Sequence, residues 1–268
     1  MVRKLALLGA LVVSTLAVAC VAPASEEEEM GDTESAQTGS ALRAVDVIVS
    51  AKKTGENYEA RAYPVDDVDQ DGRIELYNAP IYNVYVDGIN AAGKRERRTW
   101  KTPRYMPYNN PAGPLYDNHY KTVGFVTAGL SNVPRFAVST YKPDYQVQNR
   151  FSPFGGAIVV KGAFYIHAGP ASVDDYGWGS AGCVEIIGNY DDFKNDILEL
   201  AGSPAANGSP RTINDGIGAL IRARKLFVTY EAAARPNLRA SLSRQLSSLD
   251  EPETLNVEEP IADEPVAQ

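Results

Sequence analysis

Residues 157–187 read AIVVKGAFYIHAGPASVDDYGWGSAGCVEII, and their reading decides the fold class. Ala157 to His167 is an apolar, β-branched and aromatic run with the character of a strand. In its second half the side chains alternate, so Phe164 and Ile166 face one way and Tyr165 and His167 the other. Gly169 and Pro170 break the strand. A polar loop with Asp174, Asp175, Gly177 and Gly179 leads to Ser180-Ala181-Gly182-Cys183, and Val184-Glu185-Ile186-Ile187 resumes β character. If the two runs pair as antiparallel neighbours, His167 lies beside Cys183 with Cβ atoms about 4.5–5.5 Å apart. That spacing suits an imidazole–thiol hydrogen bond.

The rest of the central chain has the same texture. Val45-Asp46-Val47-Ile48-Val49, Tyr82-Asn83-Val84-Tyr85-Val86, Arg135-Phe136-Ala137-Val138-Ser139 and Leu226-Phe227-Val228-Thr229-Tyr230 read as short strands punctuated by Gly, Pro, Asn and Asp. Helical signals are few. One covers 189–201, where Asn189 or Asp191 is placed to cap and Phe193, Ile197 and Ala201 recur at helical spacing. A second covers 236–249, with Pro236 at a first helical position and Leu238, Leu242, Leu246 and Leu249 on one stripe. No internal repeat of useful period is present. The expectation is a mainly β domain (α+β in a minor way) over 43–235, followed by a short helix over 236–249.

The ends of the chain decide the state of Cys183, one of only two cysteines. Arg3 and Lys4 form a positive n-region, and an apolar stretch runs from Leu5 to Ala19, short of the roughly 20 residues that span a bilayer. It ends Leu16-Ala17-Val18-Ala19-Cys20, which resembles a bacterial lipoprotein box, with Ala17 where such boxes usually carry Leu. The alternative is ordinary signal-peptidase cleavage at Ala17-Val18-Ala19 or Ala22-Pro23-Ala24, which would release a soluble protein. In every case Cys20 is lipidated, held on a flexible tether or removed, so Cys183 is expected to remain a thiol. The chain is expected to be exported with 1–20 as a lipoprotein-type signal. Lipid on Cys20 would then anchor it to a membrane, facing the periplasm or cell wall.

Residues 21–42 are rich in Ala, Ser, Thr, Gly and Glu, and 250–268 in Glu, Pro and Ala. Neither segment can bury enough apolar surface to offset its ordering entropy, so both are expected to be disordered tails. They account for the net charge of −8. The folded part is then slightly basic, and the acidic balance gives no argument for a nucleic-acid partner; none is expected.

A thiol beside an imidazole is chemically specific. An isolated cysteine ionises near pH 8.5, and a neighbouring imidazole can draw it lower, giving thiolate and imidazolium. The thiolate attacks a carbonyl carbon, and the imidazolium protonates the leaving amine. The backbone N–H groups of Gly182 and Cys183 are placed to face the developing oxyanion. The order His167, twelve intervening residues, then Ser180-Ala181-Gly182-Cys183-Val184 resembles the signature of L,D-transpeptidase (YkuD-type) catalytic domains. In that family a histidine and a small residue precede a Ser-His-Gly-Cys box, usually continued by an aliphatic residue and Arg. The resemblance covers 150–200 most closely and extends over 115–232, while 43–114 does not align. It implies a β-sandwich or barrel with one or two short helices and a cysteine enzyme of cell-wall biogenesis that needs no cofactor or metal. Such an enzyme forms an acyl-enzyme from a peptidoglycan stem peptide and transfers the acyl group to an amine. Carried over, Cys183 is the nucleophile, His167 the base, the Ala168 carbonyl orients the imidazole, and Ser180 and Gly182 shape the box. Two positions depart from the family: its box histidine is Ala181 here and its arginine is Glu185. An L,D-carboxypeptidase or endopeptidase would use the same acyl-enzyme with water, and an inert envelope-binding module would keep only the groove.

Other signals are less specific. Asp67-Val68-Asp69-Gln70-Asp71-Gly72-Arg73-Ile74 matches the first half of a calcium loop through Asp67, Asp69 and Asp71. The acid expected at the twelfth position is Asn78, which favours an ordinary Asp-Gly turn between strands. Lys94-Arg95-Glu96-Arg97-Arg98 is placed to meet substrate carboxylates or to form a solvated loop. Tyr165, Tyr176 and Trp178 flank the pair and are candidates for a groove wall. His119, the second histidine, is the alternative base.

Overall fold

The computed structural model describes residues 41–109, 124–126, 132–146, 154–162, 164–180 and 182–247. All of them belong to one compact unit, Ser40–Gln268. The chain runs through β1 (Val45–Arg61), β2 (Tyr63–Pro64), β3 (Arg73–Ile89), β4 (Arg95–Pro103) and β5 (Met106–Asn109). It continues with β6 (Gly124–Val126), β7 (Val133–Ala137), β8 (Tyr141–Gln146), β9 (Gly155–Lys161), β10 (Phe164–Ala168), β11 (Tyr176–Gly177) and β12 (Val184–Ile186). Two helices, α1 (Tyr190–Ala201) and α2 (Pro210–Arg222), precede β13 (Leu226–Tyr230) and β14 (Ala240–Ser247).

The largest sheet has the order β14-β3-β1-β13-β7, with β4 also on β3 and β11 also on β1. A second sheet, β12-β10-β9-β8, carries the strands singled out above. A small third sheet joins β2, β5 and β6. The fold is mainly β, with the sheets in a sandwich-like arrangement. Alternation builds the core: Val45, Val47 and Val49 of β1 and Val84 and Val86 of β3 are wholly buried. They join Ile158, Ile166, Val184 and Ile186 of the second sheet and Phe193, Ile197, Ile213 and Ile217 of the helices in one cluster. Each such aliphatic side chain stabilises the fold by about 1.5–3 kcal/mol. The segment 43–114, outside the family resemblance, thus supplies the two longest strands of the main sheet.

Three local differences from the sequence reading have physical causes. The run 157–167 is a hairpin of β9 and β10, turning at Gly162, whose φ of +55° is a conformation that glycine adopts readily. The helix expected over 236–249 is replaced by β14 and the irregular chain before it. Leu246 pairs with Ile74 on the edge of β3, and Leu238 packs against the Tyr58–Tyr82–Tyr105 cluster. Ladder bonds and that contact outweigh a leucine stripe with no apolar surface to cover as a helix. By contrast α1 starts as expected, with the Asn189 side chain accepting from the Asp191 and Asp192 N–H groups.

Helix α2 had no counterpart in the sequence reading, although Ser209 caps it and Pro210 opens it. Gly216 and Gly218 lower its propensity, and packing explains the first of them. A Cβ on Gly216 would come within 2.5 Å of Ala205 Cβ and about 3.1 Å of a Leu198 methyl. Gly216→Ala is therefore expected to cost about 1–3 kcal/mol by overpacking, read as a lower urea midpoint. An unchanged midpoint would show that α1 and α2 have slack between them.

The signal 1–20 with Cys20, the tether up to residue 40, His119, Ala181 and the tail 250–268 lie outside the described residues. Among those described, no helix is long and apolar enough to cross a membrane.

Candidate active site

The site is built on the second sheet. Strands β10 and β12 pair in parallel, with Ile166 opposite Val184, His167 opposite Glu185 and Ala168 opposite Ile186. This corrects the antiparallel pairing expected from sequence. The connection over 169–183 is long enough for a parallel crossover, and on its way Tyr176 and Gly177 pair with the far end of β1. The chain therefore returns beside the start of β10. Cys183 stands just ahead of β12, and its Sγ accepts from the Tyr165 N–H at 3.4 Å.

Aligned residues of parallel strands share a face, so Tyr165, His167, Cys183 and Glu185 all lie on one side of this sheet. The neighbour directly across from His167 is Glu185, and Cys183 is the diagonal one. Diagonal neighbours sit about 7–8 Å apart, within reach of long side chains but beyond a resting hydrogen bond. In substrate-free sites such contacts are often long and tighten in the reacting complex.

His167 is buried, with Nδ1 2.7 Å from the Ala168 carbonyl oxygen. A carbonyl can only accept, so Nδ1 carries the hydrogen and Nε2 keeps its lone pair for a substrate or thiol proton. The Ala168 carbonyl thus fixes the tautomer of the imidazole. Ser180, also buried, donates its hydroxyl to the Cys183 carbonyl oxygen and closes the turn ahead of β12. Gly182 has φ +112°, which a side chain would strain. No backbone carbonyl among the described residues accepts from its N–H.

Burial sets the protonation of the pair. It pushes the Cys183 thiol up to about 11; the Tyr165 N–H draws it down and the Glu185 charge pushes it further up. Burial lowers His167 to about 4, partly opposed by the bond to Ala168. At neutral pH the pair rests as thiol and neutral imidazole, where the sequence reading expected thiolate and imidazolium. Alkylation of Cys183 by a small neutral reagent is expected to rise about tenfold per pH unit from neutrality and to level off only near pH 11. A plateau already reached at pH 7 would contradict that resting state.

The structure adds residues with no sequence signal. Tyr145 of β8 lies 5.5 Å from the His167 ring and 5.2 Å from Tyr165, between ring centroids. Lys142 donates to the Tyr165 hydroxyl at 2.9 Å. The place of Glu185 opposite His167 follows from the parallel register. Burial pushes its carboxyl up to about 8, and no positive charge or hydrogen-bond donor among the described residues offsets that. Tyr58 of β1 feels the Glu185 charge, so β1 borders the acid.

Of the proposed groove aromatics, Tyr165 belongs to the site and Tyr176 stands at its border with β1. Trp178 is exposed, with the Arg61 guanidinium 4.3 Å from its ring centroid and Tyr63 edge-on at 6.4 Å. Of the basic run, Lys94 lies in the turn before β4 and is exposed, as is Arg95. From Arg95 onward the run lies in β4, where Arg97 pairs with Asp87, and Arg98 with Glu96, Asp196 and Glu199.

The acidic turn contains Asp67, Asp69 and Asp71, and the structure brings Glu75 to them. The four offer ligand atoms within 4.8 Å of one another. Asn78, where a twelfth-position acid was sought, sits in the ladder opposite Glu59. Burial raises the Glu75 carboxyl, which also accepts the Val68 N–H at 2.6 Å. The Asp-Gly turn is present too, with Gly72 at φ +87° and its N–H donating to Asp67 at 3.0 Å. These are the described carboxylates close enough to hold a cation, and such exposed turns are common without one.

No protein-family model, curated protein or solved structure matches the chain.

Proposed function

We propose that the domain is an L,D-transpeptidase-like cysteine acyltransferase acting on peptidoglycan stem peptides, with Cys183 as nucleophile and His167 as base. The observation that carries this reading is the arrangement on β10 and β12. A thiol and a tautomer-fixed imidazole share one face of neighbouring strands, and a glycine at φ +112° precedes the thiol. The motif order of His167 and the Ser180–Cys183 box supports the same family.

The chemistry starts from the neutral pair. As Sγ attacks the scissile carbonyl carbon, its proton passes to Nε2 of His167, and the Gly182 N–H steadies the oxyanion. The imidazolium then protonates the departing amine, and the C–N bond breaks to leave a thioester on Cys183. An incoming amine attacks the thioester, gives a proton to Nε2, and sulfur leaves as the thiol. Water in place of the amine gives a hydrolase, and exclusion of water decides between them. On the lipoprotein reading, Cys20 tethers the domain to a membrane near this substrate.

Incubation with purified muropeptides followed by mass analysis of the products tests the assignment. Dimers formed with loss of a terminal D-residue support transfer. Stems that are only trimmed make the protein an L,D-carboxypeptidase or endopeptidase, and unchanged muropeptides make it an inert binding module.

A further inference from the structure

We propose that Glu185 is an ammonium subsite: its carboxyl, two residues from Cys183 on the same face of the sheet, holds the cationic amine that accepts the acyl group. The inference rests on the acyl-transfer reading for the identity of that amine, and on the structure alone for the subsite. Glu185 aligns with His167 across the parallel ladder and follows Cys183 by one alternation, so the acid borders both reacting groups. Its charge is felt at the Cys183 sulfur, which places the two close together. The residue as a whole is half-buried.

A carboxyl taken this far from water ordinarily finds an arginine, a lysine or a set of N–H donors. Here no group among the described residues plays that part. The titratable groups that face it are His167 across the ladder, Cys183 one alternation away and Tyr58 on β1, and Tyr58 itself is surrounded by Arg61, Asp175 and Tyr176. Arg61, the cation among them, is engaged by Asp66 at 2.8 Å and stacks over Trp178. Asp175 accepts from the Ser172 N–H at 2.8 Å, and its negative sign also favours a cation. The unmet demand is for positive charge with N–H donors, which a primary ammonium supplies.

The acyl-transfer step then balances. The amine arrives as an ammonium against the ionised carboxyl and passes one proton to Glu185. Its lone pair attacks the thioester carbon, a second proton goes to Nε2 of His167, and the C–S electron pair returns to sulfur. Sulfur takes the proton from His167, leaving an amide, a thiol and a protonated Glu185. The resting protonated carboxyl is the state in which this step ends.

The test uses Cys183 as its own probe. Purified protein is treated with methyl methanethiosulfonate or with its trimethylammonium-ethyl analogue, whose charge does not titrate, from pH 6.5 to 9. Both reagents consume the same thiolate, so the ratio of their rates cancels the thiolate fraction and reads the local charge. In the wild type the cationic-to-neutral ratio is expected to rise about fivefold as Glu185 ionises, the scale of one screened charge a few ångströms away. In Glu185→Gln, which keeps the shape, it should stay flat. A flat wild-type ratio overturns the proposal, as does an equal rise in both proteins; if the variant does not fold, the wild-type series decides alone. A rising ratio without muropeptide turnover keeps the subsite and removes the acyl-transfer reading. Turnover with a flat ratio does the reverse.

Discussion

Cys183→Ala is expected to abolish every turnover of muropeptides while the domain stays folded. The sulfur is the electron pair that attacks the carbonyl, and nothing nearby can replace it. The closest hydroxyl in sequence, Ser180 Oγ, is buried and committed to the Cys183 carbonyl oxygen. The fold should tolerate the change because alanine keeps the Cβ. The Tyr165 N–H to sulfur bond at 3.4 Å is lost, worth about 1 kcal/mol. Product formation by pure Cys183→Ala protein, measured under the wild-type conditions, would remove the nucleophile from the account.

His167→Ala is the second large loss, expected to lower kcat/KM by about 10²–10⁴, the usual contribution of a positioned base. His119→Ala should change it little. The wild-type pH profile has a sign to check. Nε2 accepts a proton only when the ring is neutral, so kcat/KM for the acyl donor, whose half-reaction does not use Glu185, should hold as pH falls and decline only near pH 4, well below the ordinary 6.5. The same burial acts on stability. Between 6.5 and 4 the unfolded chain binds a proton that folded His167 refuses, so stability is lost as pH falls through that window. Glu185 works in the opposite direction. Between 4.5 and 8 the folded chain holds a proton that the unfolded chain releases, so stability falls as pH rises. Glu185→Gln should lose that alkaline decline while the acid limb of His167 stays, read from melting temperatures between pH 4 and 9. A kcat/KM acid limb centred near 6.5, or melting temperatures with no acid limb from His167, would mean that the imidazole is not held in the buried environment described here.

How far the sequence went depended on whether a feature was local. The strand runs at 45–49, 82–86 and 226–230, the strand at 184–186 and the Asn189 cap were legible because alternation and capping are written in neighbouring residues. The pairing of β12 with β10 was not, because parallel and antiparallel neighbours have the same alternation. The crossover's excursion to β1 makes the choice, and the β1 residues involved, Glu59 and Ala60, lie more than a hundred positions away. His167 and Cys183 were legible as a pair, since both belong to one motif. Their protonation was not, since it follows from what buries them. Tyr145 and Tyr58 carry no motif at all and enter the site only through packing. Helix α2 was obscured by Gly216, whose reason is the nearness of Ala205 and Leu198.

The central claim is a covalent thioester between Cys183 and a stem-peptide acyl group, and intact-protein mass spectrometry observes that bond directly. Wild type is mixed with a disaccharide-tetrapeptide donor, quenched in acid within seconds and digested. The account predicts a mass increase equal to the donor minus its terminal D-amino acid, released as the free molecule, mapped to the peptide containing Cys183. The adduct should be absent in Cys183→Ala and discharged when an acceptor amine is added before the quench. Donor turned over by the wild type with no adduct at Cys183, or with turnover retained in Cys183→Ala, would contradict it.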